Sequence, residues 1–297
     1  MNLKSLGEFG LIKRIKNQIK TDSSVIQGIG DDCAVLKSSS RKYQLYTSDM
    51  IVEGVDFTEQ DDRILVGRKA LAICVSDMAA CAGIPRHCLV SLGLSPKTKV
   101  EEVDRIYKGL NLIAREFKVN IVGGDISKAP KLTIDVSLLG EVEKKNLVLR
   151  SGARPGDIIF VTGSFGGSIK GKHLSFIPRL KEARYLVSNF KINSMIDASD
   201  GLRSDLGHIL EESKVGAVIY EDLIPISPWA GSLKNAFCDG EDFELIFTVG
   251  LKDARKLKSS GREFIPIGEI VAEKFGVTLV DKKIKQKKIK FCGYTHF

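Results

Sequence analysis

Aspartates in apolar surroundings are the strongest chemical signal in this sequence. Seven of them lie in five short segments that are otherwise rich in Ile, Val, Ala and Gly. These are Asp31 and Asp32 in GIGDDCAVL, Asp49 in YTSDMI, Asp77 in ICVSDMAA, Asp125 in IVGGDIS, and Asp197 and Asp200 in MIDASDGL. Carboxylates removed from water need a cation or a hydrogen-bond donor. Gathered in a fold, they would bind a hard divalent cation such as Mg²⁺, which usually accompanies phosphate chemistry.

The local sequence around each aspartate suggests different roles. Gly28 and Gly30 permit a tight turn, so that only one of the two aspartates that follow needs to face a metal; we expect Asp31 to stabilise the turn instead. Asp77 lies in an apolar helical pattern, which favours burial over a solvated helix surface. Asp197 and Asp200 are three residues apart at a predicted helix N-terminus, where backbone N–H groups also favour phosphate.

Other motifs point away from the common nucleotide-binding and metal sites. The segment Gly166–His173 is close to a phosphate-binding P-loop, but His173 replaces the hydroxyl residue that would bind Mg²⁺, so a flexible glycine-rich loop is favoured. The six cysteines form no CxxC pair and the four histidines no ligand spacing, which disfavours zinc. We expect all six cysteines to be free core thiols. They are Cys33, Cys74, Cys81, Cys88, Cys238 and Cys292.

Composition is that of a soluble globular protein. The 297 residues are 43% hydrophobic and carry a net charge of +8. The sequence contains neither a run of about 20 apolar residues nor a signal-peptide pattern at its start, so we expect no membrane association and a cytoplasmic location. Six lysines lie within 281–290. This run lacks arginine and aromatic residues, which favours a solvated edge strand over a nucleic-acid patch.

The hydrophobic pattern predicts mixed α/β structure. Helices are predicted over 3–20, 64–82 and 99–117, and strands near 43–48, 89–94 and 132–140. Further strands are predicted at VGAVIYE, FELIFTV and REFIPIGEIV, with Ser199 as the cap of a helix that follows it. A polar stretch rich in Gly and Pro covers 143–157. It divides the chain into predicted domains of residues 1–145 and 146–297.

Nine segments, in order along the whole chain, resemble those of thiamine-monophosphate kinases. They are GEFGLI (7–12), GIGDDCAVL (28–36), TSDMIVEGVDF (47–57), KALAICVSDMAACAG (69–83), VGGD (122–125), RSGARPGD (150–157), MIDASDGL (195–202), GEDFEL (240–245) and GYTHF (293–297). The resemblance implies an α+β fold of the aminoimidazole ribonucleotide synthetase type. Its N-terminal domain would bind ATP and Mg²⁺ and contribute to a β-barrel shared across a homodimer, and its C-terminal domain would be an α/β sandwich. The implied reaction is direct phosphoryl transfer from ATP to thiamine monophosphate, with several Mg²⁺ ions and no acid–base residue.

The resemblance also assigns candidate residues. The implied metal ligands are Asp32, Thr47, Ser48, Asp49, Asp77, Asp125, Asp197 and Asp200. The implied ATP contacts are Tyr107, Gly124, Asp125, Arg150 and Ser199. The implied contacts with thiamine monophosphate are Asp56, Glu241 and a terminal aromatic residue, for which Tyr294 and Phe297 are both candidates.

Two positions depart from the family pattern and keep other functions open. Asp56 stands where the family usually has a histidine, and Asp239 where it usually has a glycine. Two extra carboxylates would repel a phosphate monoester, which suggests an ATP-dependent enzyme of the same superfamily with a different small substrate. A non-enzymatic nucleic-acid-binding protein, based on the lysine run, is a third hypothesis.

Overall fold

A computed structural model of the chain describes residues 2–288 and 292–296. The α-helices are α1 Leu3–Leu6, α2 Glu8–Lys16, α3 Arg63–Ala80, α4 Val100–Phe117, α5 Leu180–Asn189, α6 Leu202–Ser213, α7 Leu233–Cys238 and α8 Leu251–Lys258. The strands are β1 Val25–Gln27, β2 Ala34–Lys37, β3 Lys42–Val52, β4 Ile84–Leu94, β5 Asn120–Lys128, β6 Thr133–Glu143, β7 Ile158–Val161, β8 Ile192–Asp197, β9 Val215–Tyr220, β10 Leu245–Val249, β11 Ile265–Ala272, β12 Val277–Val280 and β13 Gln286–Lys288. Within the described ranges, no helix combines the length and apolarity that crossing a membrane requires.

The first half of the chain forms a six-stranded mixed sheet in the order β1-β2-β3-β6-β4-β5. Strand β6 pairs antiparallel with both β3 and β4, and β4 pairs parallel with β5. Helix α3 therefore connects β3 to β4, and helix α4 connects β4 to β5. Both are crossovers of the kind that parallel strands require. Strand β5 is left at one edge of the sheet.

Helices α3 and α4 pack together on one face of this sheet. Gly67 and Gly109 allow their close crossing, because a Cβ on Gly67 would lie 2.0 Å from the carbonyl oxygen of Ile106 and one on Gly109 would lie 1.9 Å from that of Ile64. Helix α3 is buried on nearly all sides. It also contacts α5 and β8, which belong to the second half of the chain. It is therefore the element that links the two sheets.

The second half of the chain forms a seven-stranded sheet in the order β13-β12-β9-β11-β7-β10-β8. Alternate side chains of its strands enter two separate cores. One core packs against α6 and α7, and the other against α5, α8 and the C-terminal end of α3. The arrangement is an α/β sandwich, with the sheet between two helical layers.

Most predicted elements are present, and two predictions were wrong. The helix predicted over 3–20 breaks at Gly7, whose φ of 70° separates α1 from α2. Ser199 does not cap the next helix. Helix α6 begins after Gly201, and the carboxylate of Asp205 accepts hydrogen bonds from the N–H groups of Asp200 and Gly201, both at 3.0 Å. The carboxylate thus fixes the turn before the helix, and the residue at the capping position, Gly201, has no side chain to accept from the first N–H groups of the helix.

Candidate active site

A cleft of about 430 Å³ lies between the two halves of the chain. Helix α3 forms its floor through Lys69, Ile73 and Asp77, which are spaced four residues apart and so share one face of the helix. Most of the predicted site residues line this cleft. They are Asp32, Thr47, Ser48, Asp49, Asp56, Asp77, Arg150, Ser199, Asp200, Glu241 and Tyr294. Asp197 lies directly beneath them and is 2% exposed.

At the centre of the cleft, carboxylates from both halves of the chain meet. Oxygen atoms of Asp32, Asp77 and Asp197 all lie within 4.8 Å of one another. Asp32 precedes β2, Asp77 lies near the end of α3, and Asp197 is the last residue of β8. The folding of the two halves against each other therefore assembles this group.

The group has hydrogen-bond donors, but too few to satisfy it. Thr47 Oγ1 donates to Asp77, and Ser76 Oγ donates to Asp197 at 2.5 Å. Two buried oxygens, Oδ2 of Asp32 and Oδ2 of Asp49, accept no hydrogen bond from any residue that the structure describes. Orphaned buried acceptors in a set of hard oxygen donors fit a divalent cation such as Mg²⁺.

Electrostatics lead to the same conclusion. Burial raises the pKa of Asp197 to about 8, and the charge of Asp32 adds to this effect. Burial also raises the pKa of Asp49 and, together with the charge of Asp49, that of Asp77. Closely spaced carboxylates repel one another when ionised, and a bound cation removes that repulsion.

Arg150 provides a fixed positive charge beside the carboxylates. Its Nη2 donates to Asp32 Oδ1 at 2.7 Å, and its backbone N–H donates to Asp31 Oδ2 at 3.2 Å. Its buried Nε has no hydrogen-bond partner among the described residues. Asp31 also accepts from the N–H of Asp32, as expected of a turn residue, but unexpectedly its side chain lines the cleft as well. This part of the cleft thus places a guanidinium, one of whose N–H groups has no partner among the described residues, beside the carboxylates of Asp31 and Asp32.

Three predicted site residues lie outside the cleft in a single chain. Gly124 and Asp125 are exposed on the edge strand β5. Two strands, β6 and β4, separate them from Asp49 on β3. Tyr107 packs from α4 against the core of the first half. Gly124 has a local structural role, because a Cβ there would lie 1.7 Å from the carbonyl oxygen of Val90.

The end of the cleft away from Asp77 is lined by a different set of groups. Glu241 Oε2 accepts from Lys69 Nζ at 2.5 Å and lies 3.4 Å from His173 Nδ1. The carboxylate of Asp56 accepts from the N–H of Val52 at 2.7 Å and so closes its own turn. Tyr294 lines this end, while Phe297 lies outside the described residues. The sequence analysis did not predict Lys69 or His173 as site residues. Lys69 could have been noticed, because it is a charged residue in the mostly apolar helix α3.

The glycine-rich segment that resembled a P-loop is held in place by carboxylates. Asp242 accepts from the N–H of Gly166 at 2.8 Å, and Asp239 accepts from the N–H of Gly167 at 3.0 Å. Glu244 accepts from Lys172 and Arg179, both at 2.7 Å. Asp239 is therefore engaged with the loop backbone.

The C-terminal segment returns over the cleft, and it corrects the prediction about cysteines. Cys33, Cys74, Cys81 and Cys88 are free and buried, as expected. Cys238 and Cys292 instead form a disulfide, with Cα atoms 5.2 Å apart. Their separation of 54 residues hid the pairing, which arises because the segment lies against α7. Beyond it, the N–H of Tyr294 donates to the carbonyl of Asp200 at 3.0 Å, and that of His296 donates to Glu8 at 2.9 Å.

Comparisons with known proteins agree with this geometry. Residues 30–142 match the family model described as AIR synthase related protein, N-terminal domain, and residues 154–280 match that of the C-terminal domain. The chain is 35% identical to thiamine-monophosphate kinase from Buchnera aphidicola subsp. Schizaphis graminum, with 98% of each chain covered. It is also 35% identical to that of Bacillus subtilis, with 98% of this chain and 100% of the relative covered. The solved structure of AaThiL complexed with AMPPCP and TMP superposes with a TM-score of 0.87 at 32% identity, covering 100% of this chain and 99% of the other.

Proposed function

The chain belongs to the thiamine-monophosphate kinase family of AIR synthase related proteins, and we propose that it phosphorylates thiamine monophosphate with ATP to give thiamine diphosphate and ADP. The observation that carries this proposal is the convergence of Asp32, Asp77 and Asp197 from both halves of the chain, beside Arg150. The binding of an ATP analogue and TMP by the AaThiL structure supports it.

Magnesium fits the residues at the centre of the cleft. Orphaned oxygens on Asp32 and Asp49, with Asp77, Asp197 and Asp200 beside them, would hold the ions. Thr47, whose Oγ1 donates to Asp77, adds a hydroxyl oxygen to this wall. The hydroxyl of Ser48, the next residue of β3, lies on the other face of the strand and contacts Asp135 and Ser137 at 3.2 and 3.1 Å. Bound Mg²⁺ would supply neutralisation of the charge on the phosphates.

The reaction needs positioning more than covalent chemistry. The bond between the γ-phosphorus and the β–γ bridging oxygen breaks, and a phosphate oxygen of thiamine monophosphate forms the new bond to that phosphorus. The accepting oxygen is already deprotonated, so no residue has to act as a general base. Arg150 offers a guanidinium fork to the transferred group, and Ser199 lies at the same wall to contact ATP.

The end of the cleft that contains Asp56 and Glu241 would receive the ring portion of the substrate. The two carboxylates that depart from the family pattern do not argue against thiamine monophosphate. Asp56 is engaged with the N–H of Val52, and Asp239 with the N–H of Gly167. Since both carboxylates have backbone partners, the case for a different small substrate is weakened. Tyr294 and the undescribed Phe297 remain the candidates for the aromatic contact.

We further propose that two copies of the chain form a homodimer through the uncovered side of the first sheet, closing a barrel between them. Tyr46, Met50 and Leu89 are each more than 40% exposed there, and the edge strand β5 exposes Val122 and Ile126. An apolar, unpaired edge of this kind is a ready interface. The partner's cleft would then receive Gly124 and Asp125, and with them Tyr107, as the ATP and metal contacts that a single chain leaves apart.

We propose that the protein acts in the cytoplasm, as two domains of residues 1–145 and 146–297, each with one of the two sheets. In a reducing compartment the Cys238–Cys292 pair would exist largely as two thiols. The lysine run supports no nucleic-acid role. Its described strand, β13, is an edge strand, and Lys287 pairs with Asp281 at 3.0 Å.

Coupled assays test the proposed reaction. ADP release is measured with Mg²⁺, ATP and thiamine monophosphate, and thiamine diphosphate is identified by chromatography. We expect ADP and thiamine diphosphate in equal amounts, and neither when Mg²⁺ is chelated. Free thiamine and unrelated phosphate monoesters serve as controls. ADP release that ignores thiamine monophosphate would contradict the proposal and support a different substrate.

A further inference from the structure

Lys69 is a fully buried lysine that the proposed phosphate chemistry does not use. It is 1% exposed, within the apolar helix α3. Burying an ammonium group is costly unless it is paired and hydrogen-bonded. Its Nζ donates to the carbonyl oxygen of Asp56 at 2.9 Å and to Glu241 Oε2 at 2.5 Å. Such a pair is a weak source of stability compared with apolar packing, so its presence at a cleft needs another reason.

The position of Lys69 separates it from the phosphate site. It lies eight residues before Asp77 on the same face of α3, and a rise of 1.5 Å per residue places the two about 12 Å apart along the helix. Its Nζ is hydrogen-bonded at the far end of that separation, to Asp56 and Glu241, and no contact joins it to Asp77 among the described residues. Lys69 belongs to the end of the cleft that contains Asp56 and Glu241.

Glu241 is held in an unusual conformation by its surroundings. Its φ is +67°, in the left-handed region that non-glycine residues rarely adopt. Its N–H donates to the carbonyl of Ser199 at 2.6 Å, next to the proposed ATP site. Backbone strain at a cleft persists only where neighbouring contacts impose it. The contacts with Lys69 and Ser199 are of that kind.

The carboxylate of Glu241 keeps one oxygen available. Lys69 and His173 both contact Oε2, and Oε1 makes no hydrogen bond to a residue within 2–288 or 292–296. Although burial alone would raise the pKa of Glu241, the neighbouring His173 and the charge of Lys69 hold it below its usual value. Glu241 is thus an anion with a free acceptor facing the cleft.

We propose that Lys69 is a positioning residue for the substrate: it fixes the Glu241 carboxylate across the boundary between the two halves, so that Oε1 accepts an N–H from the ring portion of the acceptor. This rests on the proposed function. The ligand class is a phosphate monoester whose nitrogen heterocycle bears an N–H donor, as the aminopyrimidine of thiamine monophosphate does. Lys69 acts through Glu241 and contacts no reacting atom.

The experiment replaces Lys69 in the full-length chain and separates the KM values of the two substrates. In Lys69→Met we expect the KM for thiamine monophosphate to rise at least tenfold and the KM for ATP to stay within twofold. Glu241→Gln should give the same split. The double variant should be no worse than either single variant, because both changes remove one interaction.

A matched control and a second variant keep the test decisive. Arg184→Met removes another ion pair between the two halves, with Glu143 at 2.9 Å and outside the cleft, and should change neither KM. If Lys69→Met does not fold, Lys69→Gln retains a neutral donor on a side chain one atom shorter and should still raise the KM for thiamine monophosphate several-fold. An unchanged KM in a folded Lys69 variant, or additive effects in the double variant, would overturn the proposal. A wild-type protein inactive with thiamine monophosphate would instead overturn the proposed function itself.

Discussion

Ser76 on helix α3 donates a 2.5 Å hydrogen bond to Asp197 at the end of strand β8. This contact joins the helix at the centre of the first half to the second sheet, one residue before Asp77. The carboxylate group of Asp32, Asp77 and Asp197, which is the proposed metal site, therefore does not belong to either half of the chain. It exists only where α3 meets β8, and its properties should depend on both.

Removing one carboxylate should stabilise the protein in the absence of Mg²⁺ and reduce the further stabilisation that Mg²⁺ provides. We expect Asp77→Asn to raise the apo protein's unfolding free energy by about 1 kcal/mol, or Tm by about 2 °C, because repulsion with Asp49 is relieved. The same variant should lose most of the stabilisation that Mg²⁺ gives the wild type. Thermal unfolding in EDTA and in Mg²⁺ measures both effects. Asp104→Asn, an exposed change on α4, is the control, and an Asp77→Asn variant that still gains full stability from Mg²⁺ would contradict the assignment.

The ion pair between Glu143 and Arg184 should make stability fall in acid. The hydrogen bonds from Arg184 lower the pKa of Glu143 to about 2, from an ordinary value of 4.5. A lowered carboxyl pKa stabilises the fold above pH 4.5, and the contribution is lost as the pH falls towards 2. The side chain is 31% exposed, so solvent screening reduces the effect to about 1 kcal/mol.

Urea unfolding of Glu143→Gln tests this pair. The variant should be about 1 kcal/mol less stable than wild type at pH 7. The difference should shrink as the pH is lowered from 4.5 towards 3, because the unfolded wild type then binds a proton at Glu143 while the folded protein, with a pKa of about 2 there, does not. A difference that is constant over this range would mean that the contact contributes through packing alone.

Asp239 should matter for the loop rather than for substrate choice. Its carboxylate accepts the N–H of Gly167, so Asp239→Gly, which restores the usual family residue, should cost about 1 kcal/mol of stability. The KM for thiamine monophosphate should stay within twofold of wild type. A fall of fivefold or more would show instead that Asp239 repels the substrate phosphate. Steady-state kinetics alongside thermal unfolding distinguishes the two.

The disulfide should stabilise the chain only under oxidising conditions. Closing a loop between Cys238 and Cys292 restricts the unfolded chain, and we expect the double serine variant to lose about 2–4 kcal/mol. In dithiothreitol, wild type and variant should unfold at the same urea concentration. If wild type and variant differ in unfolding free energy by the same amount with and without dithiothreitol, the loss comes from the packing of the two side chains and not from the disulfide.

The sequence predicted local elements and the clustering of carboxylates better than contacts between distant segments. Aspartates in apolar segments indicated a metal site, and the structure brings Asp32, Asp77 and Asp197 within ligand distance of one another. The local sequence was sufficient for this prediction, because apolar residues on either side of an aspartate indicate that its carboxylate is buried. Helices α3 and α4 were predicted to within two residues for the same reason.

Contacts between distant parts of the chain were not predictable from pattern. Cys238 and Cys292 pair across 54 residues, and the Lys69–Glu241 contact spans more than half the chain. Ser199 looked like a helix cap, but helix α6 begins after Gly201, two residues later, and Asp205 fixes the turn that precedes it. Asp125 carried a correct family motif, yet its edge strand places it outside the cleft of its own chain. In each case the result depends on how distant segments pack together, and the local pattern of a single sequence does not predict that packing.

The most direct test of a shared metal and phosphate site is a crystal grown with Mn²⁺ in place of Mg²⁺ and a non-hydrolysable ATP analogue, with anomalous data collected at the manganese edge. We predict peaks in the cleft within about 2–2.5 Å of carboxylate oxygens from both halves of the chain, Asp32 or Asp77 from one and Asp197 or Asp200 from the other. Manganese bound by residues of one half alone, or absent from the cleft while the nucleotide is bound, would contradict the account.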